Sequence, residues 1–277
     1  MNLPKSPRLP DPPVVARAKW LRRTLGGLLG EGRARRVTPY LEVVMPGLTP
    51  TFCRKRDDGL FEYTTGGRRM LFPCEMMRTT HLAVGYAQWM RDKYRMADFA
   101  EVEPGDVVVD CGAFAGGFTL GVAEVAGTVH AVEPSPTNFA ALEANTADLP
   151  NVHRYPIGFY KHDGQMQLNL SDSHVDDSLL TPDFLGTGRS VSVELLTLDR
   201  WAREQGIERI DFMKLEAEGV EIDILSAVET TPIRKFAVDC SAEREGASPR
   251  EPIGAWLLER GYEVRLRGKM LFARRPD

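Results

Sequence analysis

The residues best placed to do chemistry lie where an apolar strand runs into a turn that carries two glycines. Asp110 closes the strand, and Gly112 and Gly116 shape the turn. Glycine has no Cβ, so the chain can turn sharply there and a ligand can approach the backbone. A second apolar strand ends in Glu133, whose carboxylate is suited to accept hydrogen bonds from both hydroxyl groups of a ribose. Strand, turn, helix and acidic strand end together predict a nucleoside-binding site.

The spacing in the turn separates two classes of nucleoside cofactor. A dinucleotide fingerprint reads G-x-G-x-x-G, and its middle glycine admits a pyrophosphate. Here Asp110 precedes the first glycine, and Phe114 stands in the middle of the turn. A carboxylate repels phosphates but attracts the cationic amino-acid end of S-adenosylmethionine (SAM), so the pattern favours SAM over NAD. The predicted cofactor-binding residues are Asp110, Gly112, Ala113, Phe114, Gly116, Glu133, Pro134 and Asn138.

A second charged group lies in the segment Asp211–Glu221. If the backbone there is extended, Lys214, Glu216 and Glu218 share one face of a strand. Charges on the face of a sheet interior need partners or a function. One interpretation is a catalytic group that orients or deprotonates a substrate hydroxyl, with a divalent cation held by Glu216, Glu218 and Asp239 as an option. The other is a Lys–Glu network that only caps the strand and the next helix.

A polar loop at residues 171–178 contains His174. This histidine is a candidate catalytic base that Asp176 or Asp177 would orient, and the alternative is an inert surface histidine. The sequence has no G-x-S-x-G, H-E-x-x-H or P-loop motif, so nothing in it supports a hydrolase or a kinase. The four cysteines form no C-x-x-C pair, which argues against a zinc site.

Composition limits the class of protein. A chain of 277 residues with 43% hydrophobic content can bury one substantial core and an added subdomain. A net charge of −4 is no signature of nucleic-acid binding. No apolar run reaches membrane-spanning length and no signal-peptide core is visible, so we expect a cytoplasmic protein.

The first part of the chain differs from the rest. After a proline-rich start, apolar residues from Val14 to Leu29 recur at helical spacing within a strongly basic region. A basic amphipathic helix can lie on an anionic membrane surface. The alternative is a helix docked on its own domain or on a second subunit, which Gly26 and Gly27 favour because they weaken a free-standing helix.

Strand and helix patterns alternate through the second part of the chain. Such alternation predicts an α/β fold with a mostly parallel sheet, and two strand-like runs at the end predict an antiparallel last strand. Residues 1–100 are expected to hold the basic helix and a smaller α+β cap, and residues 101–277 the SAM-binding domain. Short strands are predicted within 52–61 and at 70–72, around the turn Asp57-Asp58-Gly59. Further predicted strands are 107–110, 128–132, 152–159, 191–198, 210–215, 235–239, 262–266 and 270–273, with an extra hairpin arm at 165–170. Predicted helices are 76–94, 118–126, 137–147, one around Trp201, 219–228 and 252–260.

Several motifs of this region resemble the FkbM-type SAM-dependent methyltransferases. They are Val-Val-Asp-Cys-Gly-Ala-Phe-Ala-Gly-Gly-Phe-Thr, Ala-Val-Glu-Pro, Asp-Ser-Leu-Leu, Thr-Leu-Asp-Arg-Trp and Asp-Phe-Met-Lys-Leu-Glu-Ala-Glu-Gly-Val-Glu. They occur in the family's order across about residues 101–245. The resemblance implies a Rossmann-like class I fold and O-methylation of a hydroxyl, often on a sugar or a polyketide-type natural product.

The resemblance also implies roles for single residues. Asp110, Gly112 and Gly116 look like the turn that binds the methionine end of SAM, and Glu133 looks like the ribose-binding acid. Lys214 begins a segment similar to the family's Lys-x-Asp-x-Glu-Gly. This chain departs from that pattern at residue 216, where glutamate replaces aspartate and lengthens the side chain by one methylene.

The function predicted from the sequence is therefore that of a SAM-dependent O-methyltransferase with a small hydroxylated acceptor. Two alternatives remain open at this point. An NAD-dependent oxidoreductase would use the same acid on its ribose. A non-catalytic scaffold would bind SAM, or a membrane surface through its basic start, without turnover.

Overall fold

The computed structural model describes residues 13–30, 51–65, 67–75, 85–171, 177–180, 186–243 and 246–276. The helices are α1 (Pro13–Leu29), α2 (Tyr86–Lys93), α3 (Gly117–Val122), α4 (Pro136–Thr146), α5 (Leu198–Glu204), α6 (Glu221–Ser226) and α7 (Arg250–Glu259). The strands are β1 (Thr51–Lys55), β2 (Phe61–Thr65), β3 (Arg68–Phe72), β4 (Val107–Cys111), β5 (Thr128–Val132), β6 (Val152–Tyr155), β7 (Gly158–Phe159), β8 (Gly164–Ser171), β9 (Gly186–Leu196), β10 (Ile210–Leu215), β11 (Ile233–Asp239), β12 (Glu263–Arg267) and β13 (Met270–Arg274).

A seven-stranded sheet in the order β12-β13-β11-β10-β4-β5-β6 forms the centre of the fold. Neighbours from β11 to β6 run parallel, whereas β13 pairs antiparallel with both β11 and β12. The predicted α/β class with an antiparallel last strand is thus confirmed. In such a sheet, ligand sites lie beyond the carboxyl ends of the strands, so the ends of β4, β5, β10 and β11 are the edge to examine.

The core lies on both faces of this sheet, and alternate residues of each strand serve opposite faces. Val109 and Met213 pack with Trp201 on one side. Val108 and Phe212, their neighbours in sequence, pack on the other side beneath helices α2 and α3. Because central strands are covered on both faces, they read as continuous apolar runs, which explains why their bounds were predictable.

Two parts of the prediction need correction. The segment 152–159 is not one strand, because β6 belongs to the central sheet and β7 pairs with β9 in a separate sheet of order β7-β9-β8. Pro156 lies between them and has no N–H to continue a ladder. The helix expected at 219–228 begins only at Glu221, because Glu218 and Gly219 have φ angles of 48° and 97°. The predicted hairpin arm is present as the antiparallel pair β8 and β9.

The cap region contributes the antiparallel sheet β1-β2-β3 and the helix α2, and both pack close to the turn after β4. Asn145 of α4 fastens the sheet, since its amide binds the N–H of Leu71 at 2.9 Å and the carbonyls of Leu71 and Ala115 at 2.8 Å. A Cβ on Gly117 would lie 2.2 Å from the ring of Tyr86, so α2 and α3 approach at glycine distance. Residues 76–84, part of the predicted helix 76–94, lie outside the described residues.

The basic N-terminal segment forms α1 as the spacing predicts. Trp20 and Leu28 are exposed on this helix, whereas Leu21 is buried. None of the helices that the structure describes is long and apolar enough to cross a membrane.

Candidate functional site

The turn after β4 is held in a backbone conformation that few residues adopt. Gly112, Phe114 and Gly116 have φ angles of 72°, 52° and 82°. A Cβ on Gly112 would lie 1.8 Å from the main-chain oxygen of Glu216, so this glycine is required by the neighbouring strand end as well as by any ligand. Phe114 is the non-glycine residue of the turn in the left-handed region, and such strain is typical of ligand-binding turns.

Glu133 at the end of β5 is linked directly to this turn. Its Oε2 accepts a hydrogen bond of 2.8 Å from the N–H of Phe114, while its Oε1 accepts 3.0 Å from the N–H of Ser135 and 3.4 Å from the amide of Asn138. Burial raises the pKa of Glu133 to about 7, although these hydrogen bonds act in the opposite direction. The predicted ribose acid therefore lies beside the turn and titrates near neutral pH.

Two further residues predicted to bind the cofactor line the same edge. The N–H of Ala113 donates to the carbonyl of Val132 at 3.0 Å, which joins the turn to the end of β5. Pro134 follows Glu133 and is partly buried against β7, since a Cβ on Gly158 would lie 3.5 Å from its ring. The predicted cofactor residues thus lie together at the carboxyl ends of β4 and β5.

Asp110 is fully buried at the end of β4. The N–H and hydroxyl of Thr119 donate to its Oδ2 at 3.2 and 2.6 Å, which ties the strand end to α3. Its Oδ1 lies 3.1 Å from the ammonium of Lys214 but has no aligned hydrogen-bond donor among the described residues. The glycine-containing turn after β4 and the charged segment at the end of β10 are therefore joined by the ion pair between Asp110 and Lys214.

Lys214 of β10 is enclosed by oxygen atoms. Its ammonium donates to the carbonyls of Cys111, at 3.1 Å, and Gly112, and it lies 3.6 Å from Oε2 of Glu216. Burial alone would lower the pKa of Lys214, but the charges of Asp110 and Glu216 outweigh it and raise the pKa. Lys214 is therefore a fixed cation that holds the turn, and it is a poor proton acceptor.

The carboxylate of Glu216 is contacted by two lysines and a tyrosine. The ammonium of Lys93 lies 2.7 Å from Oε1, and the hydroxyl of Tyr94 donates to Oε2. Burial acts to raise the pKa of Glu216, yet Lys93 and Lys214 hold it well below its usual range. The carboxylate is thus ionised and fully engaged.

Asp239 at the end of β11 continues the same pattern. Its Oδ2 lies 3.0 Å from the ammonium of Lys93 and 3.1 Å from that of Lys269, and its Oδ1 accepts from the N–H and hydroxyl of Ser241 at 3.0 and 2.7 Å. Negative and positive side chains therefore alternate across the strand ends. We call this series the charge chain: Asp110, Lys214, Glu216, Lys93, Asp239 and Lys269.

The predicted common face of Lys214, Glu216 and Glu218 does not form. Strand β10 ends at Leu215, and Glu218 has a φ angle of 48°, so the backbone turns before it reaches this residue. The carbonyl of Glu218 accepts a hydrogen bond of 2.8 Å from the hydroxyl of Ser178. Lys214 and Glu216 are close, but Glu218 does not continue their face.

The structure does not support the predicted option of a divalent cation on Glu216, Glu218 and Asp239. Within the described ranges, no group of three or more His, Cys, Asp or Glu side chains could hold a metal ion. The reason is physical, because the ammonium of Lys93 already lies between Glu216 and Asp239. A divalent ion would have to displace it.

His174 and Asp176 lie outside the described residues, so the predicted histidine base stays a prediction. Asp177, one of the two aspartates expected to orient His174, accepts hydrogen bonds from two serines. Its Oδ2 accepts from the hydroxyl of Ser135 at 2.8 Å, and its Oδ1 accepts from the N–H of Ser171 at 2.7 Å. This aspartate links the hairpin β8–β9 to the start of α4.

Sequence analysis missed the cationic and phenolic members of the site. Lys93 is the last residue of α2, Tyr94 follows it directly, and Lys269 lies in the turn before β13. None belongs to a motif, and each reaches the site through tertiary packing. The one signal in the sequence is that the predicted strand ends carry more carboxylates than lysines. This excess indicates that other parts of the chain must supply positive charge.

Two more carboxylates lie at this edge. Oε1 of Glu221 accepts from the N–H groups of Ala217 and Gly219 at 2.8 and 3.3 Å, while its buried Oε2 has no hydrogen-bond partner in the part of the chain described. Burial, together with the charges of Glu221 and Asp239, raises the pKa of Glu243 to about 8. Glu243 therefore differs from Glu216, because it exchanges a proton near neutral pH.

The methyltransferase FkbM domain model matches residues 110–264, which is more than half of the 277-residue chain. The chain is similar to 31-O-demethyl-FK506 methyltransferase FkbM of Streptomyces tacrolimicus, at 29% identity over 185 residues, covering 54% of this chain and 71% of that protein. It is also similar to methyltransferase sdnD of Sordaria araneosa, at 27% identity over 203 residues, covering 60% of this chain and 77% of that protein.

Among solved structures, methyltransferase FkbM from Methylobacillus flagellatus KT matches with a TM-score of 0.43 and 15% identity. The match covers 72% of this chain and 54% of that one, so the chain spans about half the length of that structure.

Proposed function

Since the chain belongs to the FkbM methyltransferase domain family, we propose that it transfers the methyl group of SAM to a hydroxyl of a small molecule, such as a sugar or a natural product. The relative from Streptomyces tacrolimicus bears a name that specifies an O-demethyl acceptor, which supports transfer to oxygen. The observation that carries the proposal is the hydrogen bond between the strained turn at Phe114 and the buried carboxylate of Glu133. An NAD-dependent oxidoreductase does not fit the family.

The residues at the ends of β4 and β5 fit SAM. Glu133 would accept hydrogen bonds from the ribose hydroxyls, with Asn138 and the N–H of Ser135 fixing its orientation. Gly112, Ala113, Phe114 and Gly116 would receive the methionine end, and Pro134 would border the nucleoside. Asp110 has one oxygen bound by Thr119, so we assign it the role of holding the turn in shape.

Catalysis would depend mainly on alignment of the acceptor hydroxyl. SAM supplies a methyl group that its positive sulfur already activates. Lys214 and Glu216 would position the acceptor side of the turn, because both side chains are ionised and fixed by their partners. Glu243 is better suited than Glu216 to accept the hydroxyl proton, because its pKa is raised to about 8 by burial and by neighbouring carboxylates. Glu218 and His174 stay predicted catalytic residues.

The deciding experiment is calorimetric titration of the full chain with S-adenosylhomocysteine (SAH), with NAD as the control ligand. Micromolar binding of SAH alone is expected, and Glu133→Ala should abolish it. Glu124→Ala removes an exposed glutamate just after α3 and serves as the matched control. Binding of NAD instead of SAH would refute the proposed cofactor.

Transfer to oxygen needs a second measurement. Methyl transfer from labelled SAM should be assayed against a panel of sugars and polyketide-type alcohols and against the same molecules with the hydroxyl already methylated. Label in the free alcohols alone supports O-methylation. Binding of SAH with no transfer to any hydroxyl compound would favour a non-catalytic SAM-binding protein.

A further inference from the structure

We propose that the ammonium of Lys93 takes the place of a divalent cation between Glu216 and Asp239, and that Lys93 is the positioning residue of a metal-independent methyl-transfer site. The role of Lys93 in methyl transfer rests on the proposed function, but the contacts of Lys93 with Glu216 and Asp239 do not depend on that function. One nitrogen atom lies 2.7 Å from Oε1 of Glu216 and 3.0 Å from Oδ2 of Asp239. The two carboxylates come from neighbouring strand ends, since Glu216 follows β10 and Asp239 is the last residue of β11.

An ammonium group can do what a bridging cation does at such a place. It donates a hydrogen bond to Glu216 and lies within ion-pair distance of Asp239, so a single positive charge serves both carboxylates. The ring of Tyr94 also lies close, with its centroid 4.7 Å from the nitrogen, within cation–π range. Magnesium would need near-octahedral coordination by oxygen atoms at about 2.0–2.1 Å, which this surrounding does not offer.

The charge balance of the site depends on this residue. The charge chain defined above pairs three carboxylates with three ammonium groups. Without Lys93, Glu216 and Asp239 would face each other across the space of a lysine side chain. Two facing carboxylates in a buried place repel each other and attract a cation. Removal of Lys93 should therefore open a cation site between Glu216 and Asp239, two of the three residues that the sequence suggested for a metal.

Lys93 comes from a different part of the fold than the two carboxylates that it bridges. Glu216 and Asp239 belong to the central sheet, whereas Lys93 is the last residue of α2 in the cap region. Helix α2 packs on α3, where Met90 and Tyr86 contact Gly117 directly after the cofactor turn. The bridge thus couples the position of the cap to that of Glu216. In this way the cap takes part in building the acceptor side of the site.

The test is a titration of the full chain with Mn²⁺, followed by electron paramagnetic resonance of the free ion. Wild type should leave Mn²⁺ free, whereas Lys93→Ala should bind one ion at least tenfold more tightly. The double variant Lys93→Ala with Asp239→Asn should lose this site. Lys93→Arg retains the positive charge and should exclude Mn²⁺ as wild type does. Lys55→Ala, which removes an exposed lysine of the cap, is the matched control.

A thermal melt with and without Mn²⁺ provides a second readout, because an ion that binds only the folded state raises Tm. Lys93→Ala should be stabilised by Mn²⁺, and wild type should not. If Lys93→Ala does not fold, Lys93→Gln replaces it. If neither variant folds, the Mn²⁺ titration of the wild type and Asp239→Asn proteins is the test. Binding of Mn²⁺ to wild type that Asp239→Asn abolishes would overturn the inference, and so would a folded Lys93→Ala that gains no site.

SAH titrations of the same samples distinguish a failure of this inference from a failure of the proposed function. SAH titration of wild type with and without EDTA should give equal affinities. Absence of SAH binding would refute the proposed function while the Mn²⁺ result still reports on Lys93. SAH binding together with no gained metal site would refute the role of Lys93 alone.

Discussion

Gly112 packs directly against the main-chain carbonyl of Glu216, so that a Cβ there would lie 1.8 Å from that oxygen. The cofactor turn and the end of β10 are therefore built against each other through the backbone. The N–H of Glu216 reinforces this contact by donating to the carbonyl of Cys111 at 3.2 Å. Any side chain at residue 112 must push the two strand ends apart.

Gly112→Ala should consequently destabilise the protein and weaken SAH binding together. The left-handed φ of 72° would cost an alanine about 1–2 kcal/mol, and the overlap would add about 1–3 kcal/mol. Chemical denaturation gives the free energy of unfolding, and calorimetry gives the affinity. Gly105→Ala is the control, because Gly105 also has a positive φ, of 86°, but has open space at its Cβ position. Equal losses in the two variants would show that only conformational strain matters.

Glu133 should make cofactor binding depend on pH. Burial raises the pKa of Glu133 from 4.5 to about 7, so this residue is protonated in the folded protein on the acidic side of neutrality. Only the ionised carboxylate accepts hydrogen bonds from both ribose hydroxyls. SAH affinity should therefore increase as pH rises through about 7 and then level off, and Glu133→Gln should remove this dependence.

The same shift has a consequence for stability with the opposite sign. Between pH 4.5 and about 7 the folded state holds a proton on Glu133 that the unfolded chain has lost. Stability of the unliganded protein should therefore fall as pH rises through this window. Denaturant midpoints of wild type and Glu133→Gln across the window will check it, and parallel curves for the two proteins would contradict it.

Much of this architecture follows from local patterns in the sequence. Strand β10 was predicted with its observed bounds, Ile210–Leu215, because a strand covered on both faces is a continuous apolar run. Glu133 lies beside the turn, as expected from the rule that the carboxyl ends of parallel strands meet at one edge of the sheet, and its role towards a ribose stays a prediction. Local pattern and topology were sufficient there.

The partners of the carboxylates could not be predicted in this way. Lys93 reaches Glu216 across 123 residues of sequence, and its position depends on how α2 packs on α3. Glu218 was misplaced because its positive φ follows from a tight turn before α6, which alternation of polar and apolar residues does not indicate. Contacts set by tertiary packing and by single turn residues are the part that periodicity misses.

Asn145 should decide how firmly the cap sheet is attached. Its amide makes three hydrogen bonds, to both main-chain groups of Leu71 and to the carbonyl of Ala115. Asn145→Ala leaves these groups without partners and should cost about 1–3 kcal/mol. Asn145→Asp retains the acceptor for the N–H of Leu71 but loses both donor contacts, so its effect also reveals what the donors contribute. Hydrogen exchange of β3 should accelerate in both variants, and unchanged exchange would show that apolar packing alone holds the sheet.

Glu243 should titrate at a pH that Glu221 controls. After burial, the charge of Glu221 is the largest cause that raises the pKa of Glu243 to about 8. Glu221→Gln removes that charge while retaining a similar shape, so the pKa of Glu243 should fall. Carbon-detected NMR of glutamate-labelled protein will measure it, with the resonance identified by its loss in Glu243→Gln. Glu208→Gln, which changes an exposed glutamate, should leave the pKa where it is. A Glu243 resonance that does not move in Glu221→Gln would show that the charge of Glu221 does not raise its pKa. A pH–rate profile of methyl transfer that shifts together with this pKa would identify Glu243 as the proton acceptor.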